Sequence, residues 1–272
     1  MVGDGFRVHN FFPNGYRVKM DPFFMLDYNS KFNFGPTDKP RGVSVHPHRG
    51  FETVTIAYQG AVAHHDSAGN SGVIYPGDVQ WMTAASGILH KEFHEENFSK
   101  AGGIFQMVQL WVNLPAKDKM STPKYQAINH ADIPVVSVAE GAGKVEVIAG
   151  NFEGTKGSAF TFTPIEAYNV KINKGGKVKL NTPSSYNTLL LIIEGGAIVN
   201  GQEANTDQMV HLAKEGEEIN IEASSDLVAL FLSGEPINEP VAAYGPFVMN
   251  KPEEIQQAIA DYNNGKFGYL EE

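Results

Sequence analysis

The sequence predicts an all-β protein of two similar antiparallel barrel or jelly-roll lobes, with one short helix at the C-terminus. Three features predict it. Short β-branched and aromatic runs recur between Gly, Pro and Asn turns. One strand-turn-strand pattern occurs twice, and helical periodicity is confined to one segment near the end.

The runs are residues 53–58, 144–148, 159–163, 177–180, 188–193, 218–221 and 227–232. Gln59-Gly60, Pro76-Gly77-Asp78, Lys174-Gly175-Gly176, Gly195-Gly196, Asn200-Gly201 and Glu215-Gly216 punctuate them. Many short strands at this spacing are the signature of a sandwich or barrel.

The repeat is weak but consistent. Residues 53–58, the Gly60 turn and Val73 to Asp78 lead to a strand ending near Phe93. Residues 188–193, the Gly195-Gly196 turn and Val210 to Glu217 lead to one ending near Leu232. This predicts two lobes, residues 1–125 and 126–250, with a helix and tail over 251–272. The segment from Pro115 to Pro134, with Pro123 inside it, reads as the connector. For the helix, Asn250 is the expected cap, Pro252 lies in the first turn and Glu253 stands where a capping box places a carboxylate. Ile255, Ile259 and Tyr262 give it an apolar face for packing on the barrel, and Gly265 can end it.

Composition narrows the function. The 272 residues carry 31 acidic against 21 basic side chains, a formal charge of −10, which opposes general binding to nucleic acid or an anionic membrane. No apolar run is long enough for a transmembrane helix, and the first residues lack a secretory pattern, so a cytoplasmic location is expected. With no cysteine there are no disulfides, thiolate metal sites or thiol nucleophiles, and any metal must be held by nitrogen and oxygen. There is no Gly-x-Ser-x-Gly nucleophile elbow and no phosphate loop in a strand–helix setting.

Histidine placement is the richest signal, since six of the nine fall between positions 46 and 94. Side chains alternate faces along a strand, so His46 and His48 project to one side, as do His90 and Glu92. Two adjacent strands presenting these pairs inward place four ligands around one point. Three imidazoles and a carboxylate suit Fe(II), Mn, Ni, Cu or Zn better than Mg or Ca, and leave open positions on an octahedral ion. Glu52 shares parity with His48, so parity alone leaves Glu52 and Glu92 both open as the fourth ligand. His94 is expected at the barrel mouth or exposed, and His64-His65 on a strand end or loop. His9, His130 and His211 lack ligand-like partners, and Trp81 and Met82 read as core.

The stretches His46-Pro47-His48-Arg49-Gly50-Phe51-Glu52-Thr53-Val54, Pro76 to Ala84 and Gly87-Ile88-Leu89-His90-Lys91-Glu92 resemble the pirin family of the cupin superfamily. Asp21 to Asp27, Gln109 to Pro115 and Tyr244 to Asn250 extend the resemblance over most of the chain. It implies a bicupin with a single metal, usually iron, in the N-terminal barrel, held by His46, His48, His90 and Glu92. Glu52 would then orient a histidine or pair with Arg49. Some members resemble quercetin dioxygenases, and eukaryotic members are known as transcriptional coregulators.

The resulting expectation is an Fe(II)-dependent oxygenase, with a small planar phenolic or enolic substrate and O2 as partners. Glu92 would both hold metal and take the substrate hydroxyl proton. The alternative is a metal-dependent regulatory module that binds a protein partner. A deep apolar pocket would favour the enzyme, and a flat charged face around a sealed ion the module. Aligning the Gly turns of the two halves puts Asn181 and Pro183 where His46 and His48 stand, and Ala229 and Phe231 where His90 and Glu92 stand. One metal per chain is therefore expected.

Overall fold

Alternating burial along the strands organises the chain. The computed structural model describes residues 1–13 and 20–272. The first lobe contains β1 (His9–Phe12), β2 (Phe23–Phe34), β3 (Gly42–His48), β4 (Phe51–Gln59), β5 (Val62–Asp66), β6 (Ser71–Ile74), β7 (Val79–Thr83), β8 (Ile88–His94), β9 (Gly103–Asn113) and β10 (Lys124–Ile128). A short helix the sequence reading lacked, α1 (Glu96–Ala101), precedes β9; the Glu95 carboxylate caps it by accepting the Phe98 N–H. The strands form a six-stranded sheet, β1-β2-β9-β4-β7-β10, and a four-stranded sheet, β3-β8-β5-β6. Side chains of the two sheets meet inside the barrel, where Thr55 of β4 reaches Glu92 of β8. Trp81 and Met82 are buried, as expected of core residues.

The second lobe contains β11 (Val135–Val138), β12 (Gly143–Ala149), β13 (Asn151–Phe152), β14 (Thr155–Lys156), β15 (Ile165–Ile172), β16 (Lys177–Asn181), β17 (Asn187–Glu194), β18 (Gly196–Val199), β19 (Gln202–Asn205), β20 (Met209–His211), β21 (Glu218–Ala223) and β22 (Leu227–Gly234). Its sheets run β11-β12-β15-β22-β17-β20 and β16-β21-β18-β19. Residues 159–163, expected as a strand, are irregular. Ala159 N–H donates to the Ile148 carbonyl, but Phe160 is exposed and Pro164 has no N–H with which to continue a ladder.

The duplication is real, but its register differs from the sequence alignment. The order β2-β9-β4-β7 recurs as β15-β22-β17-β20, and β3-β8-β5-β6 as β16-β21-β18-β19. The counterpart of β8 is thus β21, whereas the sequence alignment set β22 residues Ala229 and Phe231 against His90 and Glu92. Val62 pairs with His94 and Ala197 with Ala223, each just after its glycine turn. Counting back, His90, Glu92 and His64 correspond to Ile219, Ile221 and Val199. His46 faces His90 as Leu180 faces Ile219. All four counterparts lie in the second lobe's apolar core.

The chain ends with β23 (Ala242–Tyr244), β24 (Phe247–Met249) and α2 (Pro252–Asn263). The described residues of Met1–Lys19, with Phe23–His130 and Ile237–Glu272, form one compact unit; Met20–Pro22 and Ala131–Pro236 form the other. The returning C-terminal segment therefore belongs with the first lobe's strands, where the sequence reading divided the chain after 125 and 250. The α2 cap falls one residue later than expected, at Lys251, because Glu254 rather than Glu253 accepts the backbone N–H of Asn250 and Lys251. Ile255 and Ala258 are buried with Phe247, Met249 and Phe267, while Tyr262 is largely exposed. Gly50, just after His48, has φ of 89°, and a Cβ there would lie 2.0 Å from the Val248 carbonyl oxygen, so only glycine fits this approach of β24. Among the described residues no helix is long and apolar enough to cross a membrane.

Candidate metal centre

Strands β3 and β8 pair so that His46 lies opposite His90, and His48 opposite Ile88. On β8 the side chains of Ile88, His90, Glu92 and His94 are buried and those between them only partly so, as a two-residue period requires. The rings of His46, His48 and His90 converge, with centroids 4.2 to 4.8 Å apart. One donor atom from each lies within 4.8 Å of the other two. A second group meeting the same limit joins His64, His90 and Glu92, so His90 is common to both. Glu92 is thus brought beside His90 and His64, and it lines the same cavity as His46 and His48.

The hydrogen bonds select imidazole tautomers suited to an ion. His46 Nδ1 contacts the Ser44 carbonyl at 2.8 Å and must donate, which leaves the Nε2 lone pair unused. Asp66 Oδ2 lies 3.4 Å from His64 Nε2, so the His64 proton belongs there and Nδ1 accepts. That nitrogen lies 3.3 Å from the Gln80 amide nitrogen and 3.4 Å from His90 Nδ1, and its one lone pair is shared between them. His90 Nε2 is buried with no partner, as is His48 Nδ1. Burial, and after it the neighbouring imidazoles, hold His48 and His90 well below the usual histidine range, so both rings are neutral. Buried, neutral, unpartnered imidazole nitrogens fit a divalent metal ion.

Asp66 anchors this chain. Burial raises its carboxyl, but bonds from His64 and from the Asn70 side chain and backbone outweigh that and set it below its ordinary value. His64 was missed as a site residue. It is fully buried on β5, where Val62, His64 and Asp66 alternate inward, and the Val62-x-His64-x-Asp66 pattern in the sequence carried that signal.

Three other expectations change. Glu52 neither orients a histidine nor pairs with Arg49. Phe51 and Thr55 of β4 face the site, touching His48 and Glu92, so Glu52 points from the opposite face of the sheet. It accepts the Thr83 hydroxyl at 2.7 Å, and burial pushes its carboxyl up to about 7. Arg49 pairs instead with Asp261 of α2 and donates to the Ser86 carbonyl. His94 is buried rather than at the mouth; it sits among Phe6, Phe34, Phe98 and Phe105, with Nε2 donating to the Gly5 carbonyl at 2.8 Å.

The cluster opens into a cavity of about 390 Å³, within the size range of small-molecule sites. Its walls are mainly apolar, with Phe6, Met25, Val43, Met107 and Trp111 facing His46, His48 and Glu92. Trp111 lies edge-on to His48, centroids 5.3 Å apart, and holds that ring from the β9 side. Asp27, Asn29 and Gln109 add polar groups to the wall.

Comparison with known proteins agrees with this architecture. Residues 5–112 match the Pirin family, and residues 167–268 match the Pirin C-terminal cupin domain. The crystal structure of a quercetin 2,3-dioxygenase from Acinetobacter baumannii superposes with a TM-score of 0.94 at 48% identity, covering 100% of this chain and 95% of that one. A Pseudomonas aeruginosa protein named "Putative quercetin 2,3-dioxygenase" is 47% identical over 267 residues, 98% of this chain and 93% of that protein. Pirin from Homo sapiens is 36% identical over 273 residues, 98% of this chain and 90% of that one.

Proposed function

Because this chain belongs to the pirin family, we propose that it is a metal-dependent oxygenase acting on a flavonol-like or enolic substrate, in the manner of a quercetin 2,3-dioxygenase. The observation that carries this reading is the mainly apolar cavity opening on His46, His48 and Glu92. A regulatory surface needs no such chamber; a planar substrate does. The metal-dependent module that binds a protein partner without turnover is therefore the weaker reading.

In this proposal His46, His48, His90 and Glu92 hold one divalent ion, with Fe(II) the leading candidate. When bound, such an ion supplies a Lewis acid and a one-electron redox partner for O2. The protein's part is to orient, to exclude water and to move one proton. Phe6, Met25, Val43, Met107 and Trp111 sandwich a planar ring system and keep bulk water from it. Glu92 is the proton acceptor for the substrate hydroxyl: its carboxylate lines the cavity, with Oε1 3.3 Å from the Thr55 hydroxyl, whose single proton is shared between this oxygen and Gln109 Oε1 at 2.9 Å. His64 and Asp66 hold the His90 ring with Nε2 presented.

The test is anaerobic loading with Fe(II), followed by oxygen uptake against a panel of flavonols and enediols. Uptake that depends on both iron and a flavonol or enediol supports the reading. Absence of uptake with every compound, at full iron content, overturns it in favour of the binding module.

A further inference from the structure

The cavity's far wall carries a polar group that the proposed chemistry does not use. On β2 the side chains of Met25, Asp27 and Asn29 all line the cavity, as alternation on a strand requires. Asn29 is only 1% exposed, yet neither its amide nitrogen nor its carbonyl oxygen has a hydrogen-bond partner. A carboxamide left unpaired in a buried apolar setting is costly, and a site that keeps one is matched to something that pairs with it. Asp27, beside it, already accepts the Asn10 amide at 2.6 Å.

Strand register gives the position. Met25 pairs with Trp111, Asp27 with Gln109 and Asn29 with Met107 on β9. Trp111 touches His48, so Asn29 stands four residues along β9 from the histidine end, roughly 13 Å at strand rise. An oxygen reacting at the histidines and a group meeting Asn29 belong to opposite ends of one flat molecule.

We propose that Asn29 is a specificity-determining residue, whose carboxamide reads a neutral hydroxyl on the distal ring of a planar aromatic substrate. The inference rests on the oxygenase reading above and names its substrate class more narrowly. One amide group supplies both a donor and an acceptor, and so matches a phenolic hydroxyl, which is also both. The neighbouring Asp27 carboxyl disfavours a distal carboxylate or sulfonate, so the substrate is hydroxylated and uncharged at that end.

The experiment is equilibrium binding to the zinc-loaded full chain, in which the ion does not change oxidation state, followed by the absorbance of the ligand. The probes are 3-hydroxyflavone, which has no distal hydroxyl, its 4′-hydroxy derivative and the 4′-sulfonate. The parent should prefer the 4′-hydroxy compound over 3-hydroxyflavone by about tenfold to a hundredfold, since the latter leaves the amide unpaired. The sulfonate should bind least. In Asn29→Leu the preference should collapse to within about threefold, and Asn29→Ser, whose hydroxyl can also donate and accept, should restore part of it. Zinc content equal to the parent's shows that the variants are folded. Retained preference in folded Asn29→Leu, or none in the parent, overturns the proposal and leaves the oxygenase reading standing. Failure of all three probes to bind the parent overturns both.

Discussion

The Arg49 Nη1 and Asp261 Oδ2 atoms lie 2.9 Å apart, with both side chains buried, across 212 residues of sequence. Arg49 directly follows His48, and its guanidinium also covers the Phe267 ring at 4.6 Å. The C-terminal helix thus clamps the turn that ends the His-x-His strand. Asp261→Asn should leave the guanidinium without its charge partner and destabilise the protein by about 3 kcal/mol, the scale for breaking a buried pair. Metal content should fall with it, as urea unfolding and elemental analysis would show.

The same carboxyl predicts an acid limit. Bonds from Lys266, then Arg49 and Gln257, hold Asp261 well below the ordinary carboxylate value of 3.8. Its contribution is therefore present above that value and lost as the pH falls through the lower folded value. The stability gap between the parent and Asp261→Asn should narrow as unfolding is measured at successively lower pH below 4.

Glu52 predicts the opposite sign. Its carboxyl has an ordinary value of 4.5 and sits at about 7 in the fold, chiefly through burial. Its contribution to stability is full below the first value and is lost as the pH rises to the second. Glu52→Gln should therefore stabilise the protein little at pH 5 and most above pH 7, by on the order of 3 kcal/mol at the upper bound. Bound metal should be unchanged. A Glu52→Gln variant that loses its metal would restore Glu52 as a ligand and displace Glu92.

Glu92→Gln and His64→Phe separate holding from chemistry. Three imidazoles remain in Glu92→Gln, so metal should bind more weakly, while turnover at matched iron content should fall by a further 10²–10⁴-fold, roughly, through loss of the base. His64→Phe removes the ring nitrogen that His90 Nδ1 contacts at 3.4 Å. It should lower metal affinity about 10–100-fold and leave turnover per bound iron near the parent's.

Removing everything after residue 125 should give an insoluble product, for a reason beyond the lost second lobe. The buried Lys119 ammonium donates to the Gly50 and Val248 carbonyls and to Asn113, and this cut deletes Val248 together with Asp261. The apolar face of β24 and α2 goes too, exposing their partner Leu89. A soluble, metal-loaded fragment would contradict this.

The strand-rich class, the duplication, the C-terminal helix, and the placing of His46 with His48 and of His90 with Glu92 on shared strand faces were legible in the sequence. Each of these rests on local periodicity: two residues per repeat in a strand, three to four in a helix, and parity follows from counting. Counting fails wherever the chain turns. Glu52 shares parity with His48, but the Arg49-Gly50 turn lies between them and moves it to another sheet, facing away. His64 and Asp66 are remote from His90 in sequence, and only the β5–β8 ladder, which sets Asp66 opposite His90, makes them its support. The same ladder logic showed that the second lobe presents Leu180, Val199, Ile219 and Ile221 where the first presents its donors, a match hidden from the sequence by unequal loop lengths. Asp261 reaches Arg49 because the chain after Ile237 returns to the first lobe. Long-range pairing is set by which apolar faces bury one another, and no local pattern encodes that choice.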